Sequence, residues 1–379
     1  MGTGELSFTV PKGSITAFFQ LGVKQQHDVE RLPSREDLPY RFPSCEAGVS
    51  MFFRPGFMMH YASSQSLPSV EQLRPRIDDS NLLMLRSGNP SLQPSRTHSF
   101  HINRQFRLDE GKKGTFTVGT GGWAVRRAIV SRMLYFGQGG AWEGYQVPSG
   151  STLYTYDNVN GMYSANVQMG YNVRVHRIKT SFSVNLNDVY RRSPQYQGYT
   201  PVVLYEHGPG YSLMVMNRSS RQFMGMLTLQ QGFTRFWNDA GEDIQHVFQT
   251  QLRAETRVGF LKHAFVSAEY SFSSHLYRFP EQAPVRMNLL VAMVGYSFLK
   301  GALVTSLSGS NLLDSAPSYR TEVTANYISQ TWHNYFGRCV MLNIAYRFNS
   351  TGNKVKFGGR LRDGSAAGIE TIVYDAPPL

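Results

Sequence analysis

The 379-residue sequence has no run approaching the ~20 consecutive apolar residues of a spanning helix. These residues therefore offer no candidate for a helical span. Helical periodicity is also missing: no 3.6-residue stripe and no heptad competes with the pattern described below. Cysteine is scarce. The two that occur, Cys45 and Cys339, lie far apart in the chain. They support neither a disulfide framework nor a zinc motif, which needs close pairs, and read as two unpaired small apolar residues. Neither Gly-x-Ser-x-Gly nor His-Glu-x-x-His is found. Gly119-Thr120-Gly121-Gly122 is not followed by a helical pattern, so it makes a poor phosphate cradle. No nucleophile–base pair can be named; the expectation is a protein that is not an enzyme, with no cofactor and no metal.

Acidic residues are also under-represented: 26 Asp and Glu stand against 38 Lys and Arg, a net charge of +12. Such a balance raises the question of nucleic acid. The basic residues are scattered, as in Arg126-Arg127 and Arg191-Arg192, with no cluster on a helix. A basic lumen or anionic lipid head groups account for the charge, and nucleic acid is not an expected partner.

What is present in quantity is aromatic residues, glycine and period-two alternation. Tyr and Phe number 21 and 24, with 35 Gly. From Ile178 to Asn187 one face carries Ile178, Thr180, Phe182, Val184 and Leu186. The other carries Lys179, Ser181, Ser183, Asn185 and Asn187. Tyr163 to Tyr171, Phe248 to Glu255 and Ala264 to Ser273 repeat the pattern, which is that of strands with two unlike faces. Mean hydropathy is −0.31, but a membrane β-barrel shows only alternate residues to lipid and escapes that test. Val184 should then face lipid and Asn185 the lumen. Glu255 and Glu269 fall at lumen-facing positions. His98 and His101, three apart on a strand, point to opposite faces and are poor metal partners.

The alternating runs number about fifteen. They lie near 5–10, 14–27, 45–54, 57–65, 96–107, 115–135, 151–171, 175–190, 206–218, 221–237, 243–257, 262–277, 287–298, 302–311 and 336–348. Short turns, at Arg54-Pro55-Gly56, 217–221, 258–261 and 299–301, alternate with links 28–44, 66–95, 136–150, 191–206 and 312–335. Outer-membrane barrels place short turns in the periplasm and long loops outside. A Greek-key sandwich would break that order.

The last strand, Gly337 to Phe348, would show Val340, Leu342, Ile344, Tyr346 and Phe348 on its outward face. It resembles the β-signal read by the barrel-assembly machinery. Within the second long link, Pro68-Ser69-Val70-Glu71-Gln72-Leu73 leads to Asp78-Asp79-Ser80-Asn81-Leu82 and then to Gly88-Asn89-Pro90-Ser91-Leu92-Gln93-Pro94. That order, with Asn311-Leu312-Leu313-Asp314 before the last strand, is similar to the barrel of TonB-dependent outer-membrane receptors. The likeness runs from about residue 41 to 348.

Physically, Pro68, Pro90 and Pro94 deny ladder hydrogen bonds and Gly88-Asn89 favours a turn, so structural punctuation is the main reading. The functional reading is ligand contact by an extracellular loop through Arg74, Arg76, Asp78 and Asp79. The resemblance implies a ~22-stranded, plugged barrel in the Gram-negative outer membrane that imports a bulky or scarce nutrient. Its implied partners are lipid, the assembly machinery, the unknown nutrient and, through a missing N-terminal region, TonB. Residues 1–349 then form part of that barrel, with no plug, and 350–379 a flexible tail. Met1 to Glu5 open without a basic segment or apolar core for export, so a fragment of a longer protein is expected. A self-contained porin-like channel and a soluble secreted β-rich binding protein are the alternatives.

Overall fold

A strand whose alternate side chains are apolar must bury one edge of its pleat, and neighbours in the same register extend that face into a surface. The computed structural model of the chain describes residues 2–10, 13–26, 40–53, 56–108, 114–218, 223–260, 263–279, 284–299, 302–315, 317–323, 328–334 and 337–346. In chain order the first elements are β1 (Gly2–Val10), β2 (Gly13–Gln26), β3 (Tyr40–Phe53), β4 (Phe57–Ser66), α1 (Val70–Leu73), β5 (Ile77–Asp78), β6 (Met84–Ser87), β7 (Ser95–Arg107) and β8 (Gly114–Arg126). Then come β9 (Ala128–Phe136), β10 (Gly140–Trp142), β11 (Tyr145–Val147), β12 (Ser151–Val159), β13 (Met162–Val175), β14 (Thr180–Gln197), β15 (Thr200–His207) and β16 (Gly210–Asn217). The remainder are β17 (Phe223–Asn238), β18 (Asp243–Gly259), β19 (Ala264–Phe279), β20 (Val285–Phe298), β21 (Leu303–Ser310), β22 (Pro317–Val323), β23 (Ile328–Asn334) and β24 (Cys339–Tyr346).

Among the described residues, sixteen strands form one antiparallel wall that runs from β1 to β24. β15 and β16 pair successive halves of β14, so together they make one pass, interrupted where Pro209 has no N–H to give. Around the break, the Gly208 N–H donates to Val189 O and the Phe233 N–H to Pro209 O.

The two faces of the wall are chemically distinct. One register row runs Tyr171, Val184, Leu213, Leu229, Leu252, Phe272. The adjacent row, on the opposite face, runs Gly170, Asn185, Ser212, Gln230, Gln251, Ser273. Val184, Leu213, Leu227, Phe248, Leu307 and Leu342 all remain exposed. Apolar side chains exposed in contiguous rows mark a surface that meets lipid or another protein.

Register also fixes how the strands lean. Phe57, at the short connection from β3, shares a row with Arg286, traced across nine ladders. Arg286 lies 12 residues before Phe298, the short-connection end of β20. About twelve residues of ~3.4 Å against nine spacings of ~4.8 Å give an inclination of roughly 43°, inside the range of barrel strands.

At the long-link end a small sheet, ordered β5-β6-β12-β9, rises above the wall. It corrects two of the sequence boundaries. The run 115–135 is two strands, because Arg127 adopts φ 56° and turns the chain out of the wall. The run 151–171 likewise divides around Gly161, at φ 84°. The link 66–95 is not plain loop but contains α1, β5 and β6, and 136–150 contains the β10–β11 hairpin. The link 191–206 is the end of β14 paired with β15, and 312–335 holds the β22–β23 hairpin. Among the described residues no helix is long and apolar enough to cross a membrane. The expected tail 350–379, Phe348, most of link 28–44 and parts of the short turns (54–55, 219–221, 261 and 300–301) lie outside the described residues.

Candidate functional site

The polar face of the wall is built by the same alternation that makes the other face apolar. Its middle is a row of Asn103, Gly119, Gln168, Asn187, Gly210, Gly232, Gln249 and His275. Beside it stands the row of Asn185, Ser212, Gln230 and Gln251 already described. Glycines and His275 apart, the two rows make a belt of amides and hydroxyls. A Cβ on Gly119 would meet the Gln168 and Asn103 side chains at 2.7–3.2 Å, so its absence leaves room for both amides. Asn185 Nδ2 donates to Ser212 Oγ at 3.2 Å, and Asn172 Nδ2 to Ser183 Oγ at 2.7 Å.

Charge borders this belt on both sides. Toward the short connections, Arg253 pairs with Glu269 at 2.9 Å and with Glu255 at 3.7 Å. Toward the long links, Arg191 pairs with Glu206 at 3.0 Å. Where the wall is interrupted at Gly208-Pro209, a cleft of about 300 Å³ opens, lined by Asn187, Ser212, Gln230, Gly232, Gln249 and Gln251. Amides both donate and accept, so the surface can match a hydrated solute group by group without demanding a net charge.

The loop motifs lie in the raised sheet. Ser69 and Gln72 form a reciprocal capping box on α1. The Gly88 N–H donates to Arg74 O, and a Cβ on Gly88 would meet backbone atoms of Arg74 and Glu71 at 2.5–2.6 Å. Asn89 Nδ2 donates to Tyr156 O at 3.0 Å. The Gln93 N–H donates to Asn158 Oδ1 at 2.7 Å, and Asn158 Nδ2 returns a bond to Gln93 O. These bonds bring link 66–95 onto the β9–β12 hairpin, where Leu85, Leu134, Val147 and Leu153 bury one small core.

Of the four loop residues named for ligand contact, Arg74 closes α1 with its backbone N–H on Val70 O. The Asp78 carboxylate accepts from the Ser80 N–H at 3.1 Å. Hydrogen bonds from Ser80, with Arg86 and Arg76 nearby, hold its carboxyl below the usual range. Asp79 accepts from the Tyr145 hydroxyl at 3.2 Å. Desolvation, then this bond, pushes the Tyr145 phenol up. Asp78 and Asp79 are thus engaged within the raised sheet itself, and Arg76 lies between them and Arg74 in sequence.

On β24, Val340, Leu342, Ile344 and Tyr346 share the apolar face with exposures of 66%, 63%, 65% and 49%; Gly337 precedes the strand. Glu255 and Glu269 are cross-strand neighbours on the polar face. His98 contacts Tyr61 on the apolar face, whereas His101 faces His60 on the polar one. Among the described residues no group of His, Cys, Asp and Glu could hold a metal. Cys45 and Cys339 are free thiols. The amide belt was not singled out in the sequence, because its members lie on separate strands and only the ladders align them.

Residues 41–346 match the outer membrane protein beta-barrel family. The chain belongs to that family, which places it in the outer membrane of a Gram-negative cell. No curated protein matches it. Among solved structures it aligns with a Pseudomonas aeruginosa FadL homologue at 8% identity, covering 90% of this chain and 87% of that one, with a TM-score of 0.35. It also aligns with OmpT, an outer membrane protein of Vibrio cholerae, at 10% identity over 76% of this chain and 90% of that one, with a TM-score of 0.25. TM-scores this low define no shared shape; the family match and the ladders carry the assignment. In such a barrel the apolar face meets lipid and the polar face turns inward.

Proposed function

We propose that the chain forms the wall of an outer-membrane transport barrel, with the amide belt as the surface along which a hydrophilic solute passes. The belt carries this reading: its rows of neutral donors and acceptors span adjacent strands midway along the wall, with ion pairs only at its borders. Transport of this kind involves no covalent chemistry at these residues.

The finer form of the proposal is a TonB-driven importer of a bulky or scarce nutrient. It is supported by the resemblance of Pro68–Leu73, Gly88–Pro94 and Asn311–Asp314 to such receptors. In this form the barrel has ~22 strands around a plug that answers to TonB. The β24 row of Val340, Leu342, Ile344 and Tyr346 serves as the strand offered to the assembly machinery. A passive porin-like channel is the second reading, favoured by the absence of any net charge demand in the belt.

Uptake of labelled solutes by cells carrying the complete gene product separates the two. Uptake abolished by deleting TonB or dissipating the proton gradient supports the importer. Steady conductance of the purified protein in planar bilayers, with uptake indifferent to TonB, replaces it with the channel.

A further inference from the structure

The apolar face ends, toward the long links, in basic side chains whose heights agree. Arg126 is 12 residues into β8, Arg192 12 into β14 and Arg235 12 into β17. Arg286 stands 12 residues, and Arg96 11, before the short-connection ends of β20 and β7. Arg278 is 14 residues into β19, next to a ladder irregularity, and lies 5.0 Å over the ring of the apolar-face Phe248. The others share the apolar face by register. At strands inclined by roughly 43°, about twelve residues of ~3.4 Å rise ~30 Å, the thickness of a bilayer's hydrocarbon core. Arginines on separate strands therefore surface together at the outer boundary of the membrane.

Between them, at the same height, β13 and β15 contribute Tyr163 and Tyr205. Tyr205 stacks on Trp237 at 5.5 Å and 15°, and the Arg235 guanidinium lies 5.1 Å over that indole. Among the described residues here, Asp243 takes Arg235 at 2.6 Å and Asp188 takes His207 at 2.8 Å. Arg96, Arg126, Arg192, Arg278 and Arg286 form no ion pair among the described residues. Arg96 and Arg126 stand directly opposite each other in the β7–β8 ladder. Like charges so placed repel unless an anion lies between them.

We propose that this belt binds the phosphorylated glycolipid of the outer leaflet: guanidinium forks take its phosphates and the Tyr and Trp faces take its sugars. Guanidinium forks fit phosphate bidentately, and an aromatic ring offers an apolar plane with a polar edge at the interface. The Arg96–Arg126 pair receives one phosphate, and the Arg192–Tyr205–Trp237 group a phosphorylated sugar, with Arg235 held over Trp237 by Asp243. The inference rests on membrane placement and not on the transport reading.

The purified full-length protein in detergent micelles is titrated with bis-phosphorylated lipid A and with the same lipid after phosphatase treatment. The phosphorylated form should bind at least ten-fold tighter. R96Q/R126Q should lower that affinity at least five-fold, while R174Q, the same charge loss on the polar face, leaves it unchanged. Equal affinity for the two lipids overturns the proposal without recourse to any variant. So does displacement of the lipid by equimolar phosphatidylglycerol or inorganic phosphate, or an equal loss in R174Q.

Discussion

Val184 stands opposite Leu213 in the β14–β16 ladder, while the next residue, Asn185, donates to Ser212 Oγ from the other face at 3.2 Å. One peptide unit thus separates a lipid-facing row from a polar one. Arg at a lipid-facing position near mid-membrane costs about 2–4 kcal/mol, and a lumenal position tolerates it. Val184→Arg should therefore sharply reduce the folded, heat-modifiable fraction on gels, and Asn185→Arg should leave it near wild type.

The raised sheet has its own core and should fail separately from the wall. Leu153 is fully buried between Leu85 and Leu134 in register. Leu153→Ala should remove about 2–5 kcal/mol from that sheet. Hydrogen exchange should accelerate over 128–159 and stay slow over 180–187; uniform acceleration would show that the two parts are one cooperative unit.

Acid should loosen the same sheet through Asp78. Hydrogen bonds from Ser80, then the nearby arginines, lower its folded-state pKa. Its contribution is therefore present above the ordinary carboxylate value and lost as pH falls through the depressed one. Limited proteolysis of link 66–95 should rise in that acid range, and Asp78→Asn should flatten this dependence.

The amide belt should set what passes. Gln251→Arg puts a fixed charge into a neutral row without touching the apolar face. Folding should be unchanged, while transport of a cationic solute falls several-fold relative to a neutral one of equal size. An unchanged ratio would remove the belt from the path.

Much of the wall was legible in the sequence because period-two alternation is a local signal: the faces assigned to 180–187 are those of β14, whereas Ile178 and Lys179 lie in the turn before it, Lys179 at φ 51°. Some boundaries were not. Nothing in Arg126-Arg127-Ala128 announces that Arg127 will turn at positive φ, since alternation continues on either side. The link 191–206 read as a loop between two alternating runs, yet β14 and β15 pair through it. Gly88-Asn89 was recognisable as a turn, but its partner Tyr156 is 67 residues from Asn89. The polar belt and the arginine belt depend wholly on register and inclination, which no single strand encodes.

In the membrane the alternate apolar row of the wall should meet acyl chains. Spin labels placed singly from Ser181 to Asn187, in protein reconstituted into bilayers, test it by collision with dissolved oxygen and with a water-soluble nickel chelate. Oxygen should dominate at Phe182, Val184 and Leu186, and the chelate at Ser183, Asn185 and Asn187. Accessibility without a period of two, or low oxygen collision along the whole segment, would contradict it.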